Sequence, residues 1–248
     1  MYNRVLLIIV SLIWGSFLTV VKARIDNPKT IVFGRSKCPK CGKALSWIEL
    51  FPVLSFIYLK GRCRHCRKKI SPSYPIIEIS SLLLALLVYC LQGLSVGSVF
   101  LFISLSFLLI ASVEDIEKQE VDIAFFVLGV ISAVVYVIFS HSDVWLSVLG
   151  GVTATVIPFI FYVASREKWM GLGDSFFAFW TGLIIGYPNS IVMLFLAFFI
   201  GSLFGIIKLV LKTEKREVAF GPFLAISCAI SLVYASTLLG YYLNFAGY

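Results

Sequence analysis

Arg166–Trp180 reads REKWMGLGDSFFAFW. Two basic residues are followed by a pair of glycines, a single acid and then a long apolar run. The run is the start of a membrane span. Asp174 stands at its edge, although a carboxylate at a bilayer centre costs roughly 2.5–3.5 kcal/mol on insertion scales. Deciding where that edge lies decides the fold.

The 248-residue chain is 60% hydrophobic and 14% charged. Soluble domains carry about 25% charged residues, so this is an all-α polytopic membrane protein. Runs of about 17–25 apolar residues can span a bilayer. They fall near 5–21, 76–92, 96–113, 122–140, 144–165, 174–188, 190–211 and 221–243. That predicts eight transmembrane helices, the sixth of them short. The organisation expected is a first helix (1–21), a polar insert (22–75) and a membrane-embedded core (76–248).

The net charge of +8 could signal nucleic acid, but its placement argues otherwise. If the insert is cytoplasmic, the loops 22–75, 114–121, 166–173 and 212–220, with Lys208 at a helix end, hold twenty of the twenty-one Lys/Arg. Only Arg4 lies outside them. Cytoplasmic loops collect Lys and Arg, so the basic balance is a topology signal. No nucleic-acid partner is expected, and the N-terminus is expected outside. Arg4 and the apolar run after it fit a signal peptide, but no small-residue cleavage site follows. The first helix is therefore expected to be retained.

The insert contains KCPKCGKALSW and GRCRHCRKKIS. Cys38, Cys41, Cys63 and Cys66 form two C-x-x-C pairs separated by 21 residues. Four thiolates at that spacing suit a tetrahedral structural zinc. The alternative is a pair of disulfides, which are rare in the cytoplasm. So short a segment lacks the core to fold unaided. His65 is expected on the surface. Cys90 and Cys228 are expected to be small core hydrophobes.

Glu114, Asp115, Glu117, Glu120 and Asp122 cluster in SVEDIEKQEVDI, and Asp174 follows in GLGD. Lys and Arg alone set the orientation, yet both groups emerge on its cytoplasmic side. Two neighbouring carboxylates share a proton, because like charges cannot both ionise comfortably. The ionised one can take a proton from water while the protonated one polarises a peptide carbonyl, as in aspartic peptidases. Gly171 and Gly173 would let a substrate backbone approach and would permit dihedrals closed to other residues. Alone, Asp174 is an ordinary helix N-cap and the acidic run a solvated loop. Two other readings stand beside the peptidase. A transporter would carry acids nearer the midplane and internal repeats. A zinc-containing assembly factor without peptidase activity would leave Asp115 and Asp174 without a role.

In their order and spacing these motifs resemble the type IV prepilin peptidases. The resemblance runs from WGSFLTVVKAR through CPKCGKALSWIELFPVLSFIYLKGRCRHCRKKISPSYPIIE, DIEKQEVD and MGLGD to FGPFLA. It implies that Asp115 and Asp174 are the catalytic pair and that the four cysteines bind zinc. It implies cleavage of a short basic leader from type IV prepilins or pseudopilins of pilus, type II secretion and competence systems. It also implies N-methylation of the new N-terminal residue with S-adenosylmethionine, and residence in the bacterial inner membrane with the site at the cytoplasmic face. The chain departs from the family pattern at Thr19, where Asn is usual, and at Asp122 and Ile123, where Pro then Asp or Asn is usual. Val218 and Ala219 stand where Ile-Pro or similar is typical. No glycine-rich strand-to-helix turn marks a methyl-donor site, and the residues carry no signal for an oligomeric state.

Overall fold

The computed structural model describes residues 2–25, 30–31, 34–140, 143–211 and 218–245. Every apolar run becomes a helix. In chain order they are α1 (Tyr2–Arg24), the short α2 (Leu54–Tyr58), α3 (Ser73–Gln92), α4 (Val96–Lys118), α5 (Ile123–Phe139), α6 (Val144–Ser165), α7 (Leu172–Ile185), α8 (Asn189–Val210) and α9 (Gly221–Phe245). A 3₁₀ turn, Trp47–Leu50, precedes α2. Six of these helices (α1, α3, α4, α6, α8 and α9) are long and apolar enough to cross a bilayer. The other two predicted spans are shorter, 17 residues in α5 and 14 in α7.

The chain divides into two compact units, Met1–Cys90 and Leu91–Tyr248. In the first, α1 and α3 meet through small residues. A Cβ on Gly15 would sit 2.9 Å from Glu78 Cα and 3.0 Å from Ser81 Cβ. The Ser81 hydroxyl donates to the Ser11 carbonyl. Small residues allow such backbone approach, and lipid-embedded helices depend on it because no hydrophobic effect drives them together. Thr19 turns its hydroxyl back onto the Ser16 carbonyl of its own helix. Cys90 is exposed rather than part of the core, whereas Cys228 is fully buried.

The second unit is built around α7. This helix packs against α5, α6, α8 and α9. Phe177, Ala178, Trp180, Thr181, Gly182, Leu183 and Ile184 are all buried. A helix enclosed over most of its surface is largely apolar, and here Phe176 remains exposed. Its contact with α6 is backbone to backbone: a Cβ on Gly182 would lie 2.5 Å from the Gly150 carbonyl oxygen. At the far end the Tyr187 N–H donates to the Leu146 carbonyl. With 1.5 Å of rise per residue, the antiparallel pair is about 33 Å (α6) and about 21 Å (α7) long. Matching Gly150 to Gly182 leaves Asp174 roughly 10 Å short of the level where α6 ends.

Candidate active site and metal centre

Asp174 is not the N-cap expected from the sequence. α7 starts at Leu172 with Gly171 as its cap, so Asp174 is the third helical residue. Its Oδ2 reaches back to accept from the Gly171 N–H at 3.1 Å. This is the carboxylate half of a capping box. Capping and site roles therefore coexist, since Oδ1 takes no hydrogen bond from the described residues. Neither Gly171 nor Gly173 adopts positive φ, so the expected special dihedrals are not used. The expected room is present: a Cβ on Gly173 would meet nothing within 4 Å.

Asp115 belongs to helix rather than loop, because α4 runs on through Lys118. Its Oδ2 accepts from the Gly221 N–H at 3.0 Å, a partner 106 residues away. The donor follows from how α9 begins. The first N–H groups of a helix have no partner inside it. In α9, Pro222 has none to offer, Phe223 and Leu224 donate to the Phe220 carbonyl, and that of Gly221 goes to Asp115. Glycine leaves room there that a larger residue would take only by shifting Asp115 or Phe177. A Cβ would lie 2.7 Å from Asp115 Oδ2 and 3.1 Å from Phe177 Cζ.

The rest of the acidic cluster divides by position. Glu114 is buried and accepts from the Asp122 N–H and from Lys118 Nζ. It thus holds the turn that follows Asp115, in which Gln119 is left-handed. Asp122 caps α5 through the Ala124 N–H, which gives a local reason for Asp at that departure from the family pattern. Asp115 and Asp174 are both half-buried, and Asp174 lies within the field of the Asp115 carboxylate. Beside Asp174 is a cavity of about 500 Å³, walled by Phe161, Trp169, Met170, Phe198 and Phe220 and edged by Val218.

The cysteines form a separate centre in the insert. Two matching knuckles hold them. Cys38 N–H donates to the Lys43 carbonyl and Cys63 N–H to the Lys68 carbonyl. After the second cysteine of each pair comes a left-handed residue, Gly42 or Arg67. All four sulfurs lie within 4.8 Å of one another, and Cys38 Sγ is 4.0 Å from Cys66 Sγ. Zinc–sulfur bonds of about 2.3 Å give a tetrahedral edge of about 3.8 Å. A disulfide needs about 2.05 Å, and all six cysteines are free. Backbone N–H groups, that of Lys40 foremost, bring Cys38 down to about 7. At Cys41 the Lys43 N–H is outweighed by desolvation and by the other three sulfurs, which lift it to about 11. His65 is exposed and outside the cluster, as expected.

Sequence reasoning passed over Gly221 and Glu114. The signal for the first was a Gly-Pro at the start of an apolar run, which suits a helix N-terminus. Nothing in sequence distinguished Glu114 from its exposed neighbours.

The fold and these sites define a multi-pass α-helical membrane protein with two half-buried aspartates, one influenced by the other's charge, and a four-cysteine cluster able to hold a metal ion. Residues 9–92 match the Bacterial Peptidase A24 N-terminal domain and residues 102–206 the Type IV leader peptidase family. The chain is 30% identical over 250 residues to the prepilin leader peptidase/N-methyltransferase of Bacillus subtilis, covering 97% of this chain and 98% of that one. It is 26% identical over 271 residues to that of Pseudomonas aeruginosa, covering 97% and 93%. With that of Vibrio cholerae it shares 43% identity over 115 residues, 42% and 44% of the two chains. No solved structure matches it. The chain belongs to the prepilin leader peptidase/N-methyltransferase family.

Proposed function

We propose that this enzyme cleaves the leader from type IV prepilins or pseudopilins at the cytoplasmic face of the bacterial inner membrane, using Asp115 and Asp174 to activate water. In this reading the N-terminus is outside. The insert 22–75 folds around one structural zinc, and 76–248 forms the peptidase core. The observation that supports it is that Asp174 lies in the field of the Asp115 carboxylate. Each carboxylate has one oxygen bound by a backbone N–H, from Gly221 or Gly171, and one left free for water. The ionised carboxylate takes a proton as the water oxygen attacks the peptide carbonyl. The protonated one hydrogen-bonds the carbonyl oxygen as it gains charge. Collapse of the tetrahedral adduct breaks the C–N bond, and the amine leaves with a proton. The open space at Gly173 accommodates the extended substrate backbone. The recessed start of α7 brings the reaction to the end of a transmembrane substrate helix.

The N-methyltransferase half rests on family membership. S-adenosylmethionine would supply the methyl group to the new amine. Among the described residues no glycine-rich strand-to-helix turn offers a nucleotide cradle.

Reconstituted enzyme, a prepilin and methyl donor, read by mass spectrometry, test the proposal. Asp115→Asn and Asp174→Asn should each abolish cleavage while the protein still inserts, folds and retains metal. Wild-type cleavage by either variant contradicts the paired mechanism.

A further inference from the structure

The insert carries a surface that the proposed chemistry does not use. Trp47, Ile48, Phe51, Leu54, Ile57 and Tyr58 are each 60–87% exposed. They project from the 3₁₀ turn Trp47–Leu50 and from α2, and a groove of about 330 Å³ runs among four of them. Contiguous apolar surface of this kind marks a partner.

Two observations identify the partner. The first is depth. Val53 joins the two helical pieces, and its N–H donates to Glu78 Oε2 at 2.7 Å. Glu78 is buried within α3, a candidate span, about 7.5 Å along the axis from Ser73. A headgroup region is about 5–8 Å deep on each side of the hydrocarbon. With Ser73 at the outer edge of the headgroup layer, the Val53 turn lies at the level where a bilayer changes from headgroup to acyl chain. Val53 itself sits at φ 60, a conformation a β-branched residue adopts only where surrounding contacts hold it. The second is charge. Residues 22–75 hold thirteen Lys/Arg against two acids, Asp26 and Glu49, and Lys60, Arg64, Arg67, Lys68 and Lys69 are exposed. A second copy of this surface would bring the same positive charge. Anionic phospholipid complements it.

We infer that residues 47–58 are an interfacial membrane anchor, seated in the headgroup boundary of an anionic phospholipid leaflet, with the neighbouring cations on its phosphates. An exposed Trp and Tyr beside aliphatic side chains and a basic flank have the composition of segments that lie in that boundary. The anchor holds the cysteine cluster against the membrane, independently of peptide cleavage.

The test uses the full-length, zinc-loaded chain in lipid discs whose acyl chains are brominated near the headgroup. The Trp47 signal is the difference between wild type and Trp47→Phe. In discs containing phosphatidylglycerol, bromine should remove about half of that emission, and less in pure phosphatidylcholine. Tyr58→Trp in the Trp47→Phe background provides a second reporter and should behave alike. Emission untouched by bromine but quenched by aqueous iodide places the surface in water and overturns the inference. Emission shielded from both means that protein covers the surface, which also overturns it.

Discussion

At the scale of single residues, Gly221 is the instructive case. Its side-chain hydrogen occupies a space that a methyl group could enter only by displacing Asp115 Oδ2 or the Phe177 ring. Gly221→Ala should push the α9 start away from Asp115 without adding charge or removing a titratable group. A displacement near 1 Å can cost about a hundredfold in rate, so kcat for prepilin cleavage should fall by about that factor with KM nearly unchanged. Steady-state kinetics on reconstituted protein, with a thermal scan to confirm folding, measure this. A loss confined to KM contradicts a positioning role. Asp174 teaches the complementary lesson. Its type and place in GLGD suggested a cap, and it does bind a capping N–H, but only from the third helical position.

At the scale of elements, the two carboxylates depend on how α4 and α7 are aligned. A buried lock between them also includes α5. Trp180 Nε1 donates to the Ser104 hydroxyl at 2.8 Å, and Ser104 donates to the Gly129 carbonyl at 2.9 Å. The indole fills the notch at Gly129, where a Cβ would lie 1.9 Å from Trp180 Cζ2. Gly129→Ala should therefore force the indole aside and destabilise the second unit by about 1–3 kcal/mol, the usual cost of overpacking. Reversible unfolding in detergent reads this directly. Wild-type stability in the variant means that the lock is looser than this contact implies. α7 can be as short as 14 residues because four neighbouring helices pack against it. A lone span of that length would be mismatched to a hydrocarbon core about 30 Å thick.

At the scale of the molecule, stability is divided. The membrane unit draws on helix packing, whereas the insert has few buried side chains beyond Cys38 and Cys63. In small zinc domains the metal's binding free energy, about 10–16 kcal/mol in model peptides, is the folding free energy. Chelation should raise amide exchange across 34–72 while α4 to α9 stay protected. Hydrogen-exchange mass spectrometry before and after chelation checks this. Parallel loss of protection in both regions, or none in the insert, contradicts it. By itself the sequence determined the class of protein, its eight apolar helices and the cysteine centre, and it singled out Asp115 and Asp174 as candidates. Hydropathy, Lys/Arg bias and C-x-x-C spacing are local properties, readable without knowing what packs on what. Only the tertiary structure decided that Asp174 lies in the field of the Asp115 carboxylate, that Gly221 binds one and Gly171 the other, and that Glu114 turns inward. Those facts depend on contacts between segments as far apart as 106 residues, and helix packing alone sets such distances.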